Sequence, residues 1–320
     1  MRKRLGRDFG AHPVMAPALL ALLFITRPAG ALTGYPLLLL DPDARSAARG
    51  ESGLAVTEGL EGFFKQPAAT ALLGDDAVTL LYVDHLQDLS VLSTSWGSPR
   101  PAPWSIGVGI LALDYGKLTG LDEQGVETGS FDAGETLLLA GLARRLPDQW
   151  GGRLIVGAQA GLLLANIDDA RSSAVLANAG AGWKRGQLSL GLAARNLGVV
   201  LSDFGDAPEK LPATLEAGAA WRLEHLPFTW SLDWQKIRER DPFFKLGGEF
   251  QIAERWRLGL GYHVERGDER ITGVTGEGGR GFSLGVGGSL PHGIDLHWAW
   301  SSYGELGALN LLSLTWRYRQ

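Results

Sequence analysis

The chain has 320 residues, a formal net charge of −5 and a pI near 5.7, a balance that argues against nucleic acid as a partner. It has no cysteine, so it can form no disulfide framework and carry no lipid on an N-terminal cysteine. Its 45 glycines and 11 tryptophans stand out, and no linker or composition shift divides the chain after about residue 52.

At the N-terminus Arg2, Lys3, Arg4 and Arg7 precede an apolar run from Val14 to Ile25, and Ala29-Gly30-Ala31 offers a small-residue cleavage site. This pattern predicts a secretory signal peptide over residues 1–31. A membrane anchor needs about twenty apolar residues. No other segment reaches that length, Leu137 to Ala143 being the longest comparable run.

Residues 32–76 follow. They hold an amphipathic stretch at Ala44–Ala48, then Gly50-Glu51-Ser52-Gly53, and a break at the turn Gln66, Pro67, Ala68. The segment is too polar to span lipid and too long for a simple lead-in, which predicts a plug or hatch seated inside a lumen.

Residues 77–320 form the barrel segment: from about 215 to 318 apolar and polar side chains alternate almost without a break in short runs parted by turn residues, and the first seven runs before that fit less cleanly. A period of two marks strands with different surroundings on their two faces. The runs place strands at 77–85, 88–96, 104–115, 134–145, 152–165, 173–183, 187–196, 213–224, 228–236, 243–252, 256–265, 281–290, 294–301 and 309–318. About fourteen strands, mostly of 9–12 residues, with no intervening helix predict an all-β transmembrane antiparallel barrel. The even count puts both termini on the periplasmic side of a bacterial outer membrane. The long connections, 116–133, 197–212 and 266–280, then all lie outside, and short ones such as 184–186, 225–227 and 291–293 lie inside.

Aromatic residues cluster at the ends of these strands, Trp183, Trp221, Trp256, Trp316 and Tyr318 at one end and Trp234, Phe244, Tyr262, Phe282 and Trp300 at the other. Two such belts separated by Leu, Val and Ala are what a lipid bilayer selects at its interfaces. The opposite face is expected to line the lumen. It carries Glu216, Arg222, Asp233, Lys245, Glu249, Arg257, His263, Glu265, Asp295 and Arg317. Charges of both signs predict cross-strand pairs bracing the wall rather than a one-signed ion path.

Several segments resemble the PorV/PorQ family. They are Ala44-Arg45-Ser46-Ala47-Ala48-Arg49-Gly50 with Leu54-Ala55-Val56 and Gln66-Pro67-Ala68, then Leu211-Pro212-Ala213-Thr214-Leu215, Gly247-Gly248-Glu249-Phe250 with Arg257-Leu258-Gly259-Leu260-Gly261-Tyr262, and Tyr303-Gly304-Glu305-Leu306-Gly307 before Leu312-Ser313-Leu314-Thr315. The match covers most of residues 44–318 and is stronger in the second half. Gln66 departs from the family's usual Asn, and the chain runs on to Arg319-Gln320 instead of ending on an aromatic. The resemblance implies a barrel related to the FadL fatty-acid transporters, with about fourteen strands and an N-terminal hatch. It implies a docking or shuttle role in a type IX-like protein secretion system, with secreted cargo or machinery subunits as partners. The alternative is a FadL-like channel for uptake of hydrophobic small molecules.

Enzymatic chemistry finds little support. The sequence has no H-E-x-x-H, G-x-S-x-G or P-loop pattern. His292 and His297 differ by an odd number, so on one strand they face opposite ways and cannot share a metal. Gly107-x-Gly109-x-x-Ala112 matches a dinucleotide fingerprint by letter but opens no helix. His297 and Ser283 fall on the inner face, away from any lipid substrate. A non-enzymatic barrel without cofactor or metal is the expectation.

Overall fold

A computed structural model describes residues 34–57, 59–84, 89–121, 126–205, 209–268, 279–304 and 307–319. The signal-peptide expectation for 1–31 lies outside the described residues. Fourteen antiparallel strands close into one barrel: β1 (Asp76–Asp84), β2 (Ser90–Ser98), β3 (Trp104–Leu121), β4 (Glu127–Gln149), β5 (Gly152–Ile167), β6 (Ala170–Arg185), β7 (Leu188–Ser202), β8 (Thr214–Arg222), β9 (Phe228–Ile237), β10 (Phe243–Gln251), β11 (Trp256–His263), β12 (Phe282–Leu290), β13 (Ile294–Ser302) and β14 (Ala308–Arg319). Each strand pairs with its sequence neighbours, and β1 pairs with β14 to close the cylinder, Leu80 opposite Leu314 and Tyr82 opposite Leu312. Closure leaves no sheet edge unpaired, which is what a strand structure in lipid requires. Among the described residues no helix is long and apolar enough to cross a membrane.

The all-β, fourteen-strand expectation agrees with this architecture. The largest difference is at β3 and β4, which run 18 and 23 residues and absorb most of the connection expected at 116–133. Leu118 pairs with Phe131 and Thr119 with Ser130, so the hairpin continues as a ladder well past the rest of the wall. The strand expected at 256–265 stops at His263, and Val264–Asp268 forms a short helix, α2.

β1 starts and β14 finishes at one end of the barrel, the terminal end. The opposite, far end carries the longest connections, 203–213 and 264–281. Outward side chains are Leu, Val and aromatic almost throughout. Leu92, Leu142, Leu192, Leu260 and Leu312 are all exposed, in a belt that circles the cylinder. So much contiguous exposed apolar surface is foreign to a soluble monomer.

Residues 34–57 and 59–75 lie inside this wall and contribute no strand. They form a plug of short turns: 3₁₀ segments at Pro36–Leu39, Leu54–Val56 and Ala69–Leu72, and one helical turn, α1 (Ala44–Ala47), whose N-cap Asp43 accepts from the Ser46 N–H. The inward glycines of the strands make room for it. A Cβ on Gly107 would stand 2.7 Å from the Phe63 ring, one on Gly109 2.8 Å from Phe64, one on Gly157 2.7 Å from the Ala68 Cα, and one on Gly259 2.8 Å from the Ala48 Cβ. Period-two glycine in these strands therefore records close approach of a second backbone. Gly50 turns with φ +66° directly against the backbone of Tyr262, where only glycine fits.

Candidate functional site

The plug divides the lumen into two unlike halves. On one side the inward residues are aliphatic: Leu81 and Val83 of β1, Val91 of β2, Leu111 and Leu113 of β3, Leu137 and Leu139 of β4, Leu163 of β5, and Leu309 and Leu311 of β14 are all buried. These join Tyr35, Leu37, Leu38, Leu60 and Phe63 of the plug in one apolar cluster. These inward leucines lie outside the lumen-facing set expected from the sequence, which is charged or histidine throughout. Strands apolar on both faces lose the alternation that marks the second half of the chain, and the run Leu137 to Ala143 is such a strand.

On the other side, β7 to β11 carry the charges. Glu216 is fully buried and accepts from Arg195 at 2.6 Å and Lys245 at 3.2 Å, both on flanking parts of the wall. Asp233, also fully buried, accepts from the plug's Leu54 N–H at 2.9 Å. Glu249 takes both nitrogens of Arg45 at 2.7 Å each, with Arg257 at 3.8 Å. His263 stands 3.7 Å from Glu51 of the plug, which also receives Arg266 in a short ion pair. Asp295 pairs with Arg317 at 2.5 Å near the terminal end. Arg222 sits exposed at that rim. Glu265 lies on α2 rather than on a strand and stands 3.8 Å from Arg240.

Cross-strand pairs thus exist, yet the wall's acids are held as much from the plug as from neighbouring strands. The centre of that attachment is Lys65, whose ammonium is 1% exposed. It donates to Asp41 at 2.5 Å, to the Ser46 hydroxyl at 2.8 Å and to the Glu51 carbonyl at 2.6 Å, and stands 3.9 Å from Glu216. Burial opposes its charge, but Asp41, Glu216 and Asp233 outweigh that and hold its pKa above the ordinary lysine value. Burial likewise works against the charge of Glu51, and Arg266, His263 and Lys245 overcome it to keep the carboxyl ionised well below its usual range. For Asp43 the pull of Arg49 does not overcome burial. Burial, with Asp41 and Glu61 nearby, pushes its pKa up to about 6.

The turn Gln66, Pro67, Ala68 abuts Gly157 and Gly180. The Gln66 amide donates towards the carbonyls of Ala181 at 3.3 Å and Leu192 at 3.5 Å, and its oxygen accepts from the Ala68 N–H at 3.4 Å. The Gln66 side chain therefore reaches both β6 and β7.

At the far end the two halves meet around a cavity of about 330 Å³. Leu37, Leu39, Phe64, Leu111, Leu137 and Leu311 form its apolar side, and Lys65, Arg195, Lys245 and His263 its polar side. Sequence reasoning identified Lys245 and His263 but missed Lys65, Arg195 and the leucine wall. The run of four leucines at Leu37–Leu40 beside a polar stretch was the one available signal.

On the outer surface the aromatics fall in two rows. Trp183, Trp221, Trp256, Trp316 and Tyr318 lie near the terminal end, where Trp96 also donates to the Tyr318 hydroxyl at 2.9 Å. Trp234 pairs in register with Phe244, Tyr262 with Phe282, and Trp300 with Leu284 towards the far end. Among the described residues no group of three His, Asp or Glu is arranged to hold a metal ion.

No protein-family model matches the chain, and no curated protein matches it in sequence. Solved structures do. The toluene transporter TodX of Pseudomonas putida superposes with a TM-score of 0.57 at 11% identity, covering 85% of this chain and 96% of that one. The CymD monoaromatic hydrocarbon channel gives 0.56 at 11% identity, with coverages of 88% and 99%. A Pseudomonas aeruginosa FadL homologue gives 0.55 at 11% identity, with coverages of 87% and 98%. None of these three carries the PorV/PorQ name. At these identities the likeness speaks to architecture, and it is plain: the chain has the fold of the FadL-like outer-membrane barrels.

Proposed function

We propose that this barrel is an outer-membrane channel for hydrophobic small molecules, with the far end outside, both termini periplasmic and the outer face in contact with lipid. In this reading the two aromatic rows sit at the two membrane interfaces. The observation that carries it is the far-end cavity, where the leucines of β3, β4 and β14 face the leucines of the plug. An apolar cavity of roughly 150 Å³ already accepts benzene, so about 330 Å³ suits a substituted single ring or a short alkyl chain. Burying roughly 150–250 Å² of aromatic surface gives about 4–6 kcal/mol before association costs. Those costs leave a weak, readily released complex, as transport requires.

The docking role in protein secretion draws on sequence resemblance alone, whereas the cavity and the likeness to hydrocarbon channels both support uptake. Deleting the gene should slow entry of toluene into cells, the wild-type protein should restore it, and Leu137→Asn should restore it only in part. Equal uptake with and without the protein, across apolar substrates of one to two rings, would refute the proposal.

A further inference from the structure

A second cavity opens at the terminal end, between the plug and the wall, and its chemistry is unlike that of the first. Its volume is about 240 Å³. Arg45 and Arg49 of the plug and Lys184, Arg222 and Arg257 of the wall line it, with Glu249 as the one carboxylate. Gln187, Ser189, Thr229 and Gln251 supply its neutral polar groups.

Glu249 cannot satisfy the three arginines nearest it. Both its oxygens are taken by Arg45 at 2.7 Å, leaving Arg49 at 3.7 Å and Arg257 at 3.8 Å, beyond hydrogen-bond reach, and Arg257 Nε donates to Gln251 at 3.2 Å instead. Arg49 is 2% exposed, and its Nε has no hydrogen-bond partner among the described residues. The Arg222 side chain stands at the exposed rim of the same space. Burying a guanidinium with an unmet donor, as at Arg49, is costly unless an anion supplies the missing acceptor. The planar forks of several arginines around one space match the oxygens of phosphate or carboxylate.

We infer that the terminal-end cavity is a binding site for a small soluble oxyanion, of phosphate or dicarboxylate chemistry, which bridges the plug to the wall. Arg45 and Arg49 contact it from the plug, and Arg222 and Arg257 contact it from β8 and β11. Bound anion ties the two bodies together at the end opposite the apolar cavity. The site is independent of what the far end transports.

The test is calorimetric titration of the full-length protein in a neutral detergent with inorganic phosphate, with succinate and with chloride, all at one ionic strength. Saturable binding of phosphate or succinate, tighter than about 10 mM and absent for chloride, is expected. Whichever of the two binds more tightly identifies the oxyanion class. Arg222→Gln and Arg257→Gln should each weaken it by about tenfold or more, as removal of one charge-assisted contact predicts, while Lys117→Gln at the far end leaves it unchanged. Both arginine substitutions lie at the wall, so folding is checked by heat-dependent migration on gels. No saturable binding of either oxyanion, or equal binding by folded Arg222→Gln and Arg257→Gln, would overturn the inference.

Discussion

Replacing Lys65 by methionine should release the plug while leaving the barrel closed. The ammonium is 1% exposed and makes three hydrogen bonds, to Asp41, Ser46 and the Glu51 carbonyl, besides its approach to Glu216. Methionine fills the volume of the stem but leaves Asp41 without its cation. Glu216 keeps Lys245 and Arg195. Removing one partner from a buried charge network costs about 3–5 kcal/mol. If that cost falls on plug attachment, amide exchange in the plug speeds up by about 140-fold to 3,700-fold, since each 1.4 kcal/mol is a factor of ten. Hydrogen-exchange mass spectrometry in detergent reads this directly. The reporting amides are those bonded within the plug, such as Ser52 to Arg49 O and Gln66 to Gly62 O. Amides of β12 to β14 should not change. Adding Asp41→Asn to the same variant removes the stranded charge and should restore part of the protection. Acceleration of less than about tenfold, or equal acceleration in plug and wall, would refute the idea that Lys65 anchors a separately mobile body.

Asp43 sets part of the pH response of the plug. Its folded pKa near 6 lies above the unfolded value of 3.8, so the folded protein holds a proton that the unfolded chain releases. Its contribution to stability is therefore undiminished below about pH 4, falls as pH rises towards 6 and stays at its lowest beyond. Asn at position 43 keeps the N-cap acceptor for Ser46 and should flatten that part of the pH profile of plug exchange, seen as the difference from wild type. Gly157→Val would set a side chain against the backbone of Pro67 and Ala68. It should expose the plug to trypsin at Lys65, whereas Gly74→Ala, with nothing within 4 Å, should not. Arg317→Gln breaks an ion pair whose arginine is 42% exposed. Its cost should stay under about 1 kcal/mol, or about 2–4 °C in unfolding midpoint.

The wall was legible in the sequence because β8 to β14 alternate between an apolar outer face and a glycine or charged inner one. Strand positions there match to within about two residues, as at 228–236 against Phe228–Ile237. The alternation fails in β3 to β5 for a physical reason: Leu111, Leu137 and Leu163 are buried on the inner face and Ile110, Leu138 and Leu164 face outward, so both faces read alike. The plug's location was readable from its polarity and length, but its contacts were not. Lys65 bonds to Asp41, 24 positions away, and approaches Glu216 across the chain. No local spacing encodes such a pair. Inward charges were visible as a set, whereas their division between neighbours on the wall and groups on the plug depended on where a chain without regular structure came to rest.

The two flanks of the plug are held by forces with opposite sensitivities. Leucine and phenylalanine grip β1 to β5, an attachment that weakens on cooling and in chaotropes. Ion pairs grip β7 to β11, and those nearest solvent are screened as ionic strength rises. A disturbance that loosens one flank leaves the other fastened, so the stopper should swing like a door rather than fall out like a cork, and its hinge side should be set by the medium.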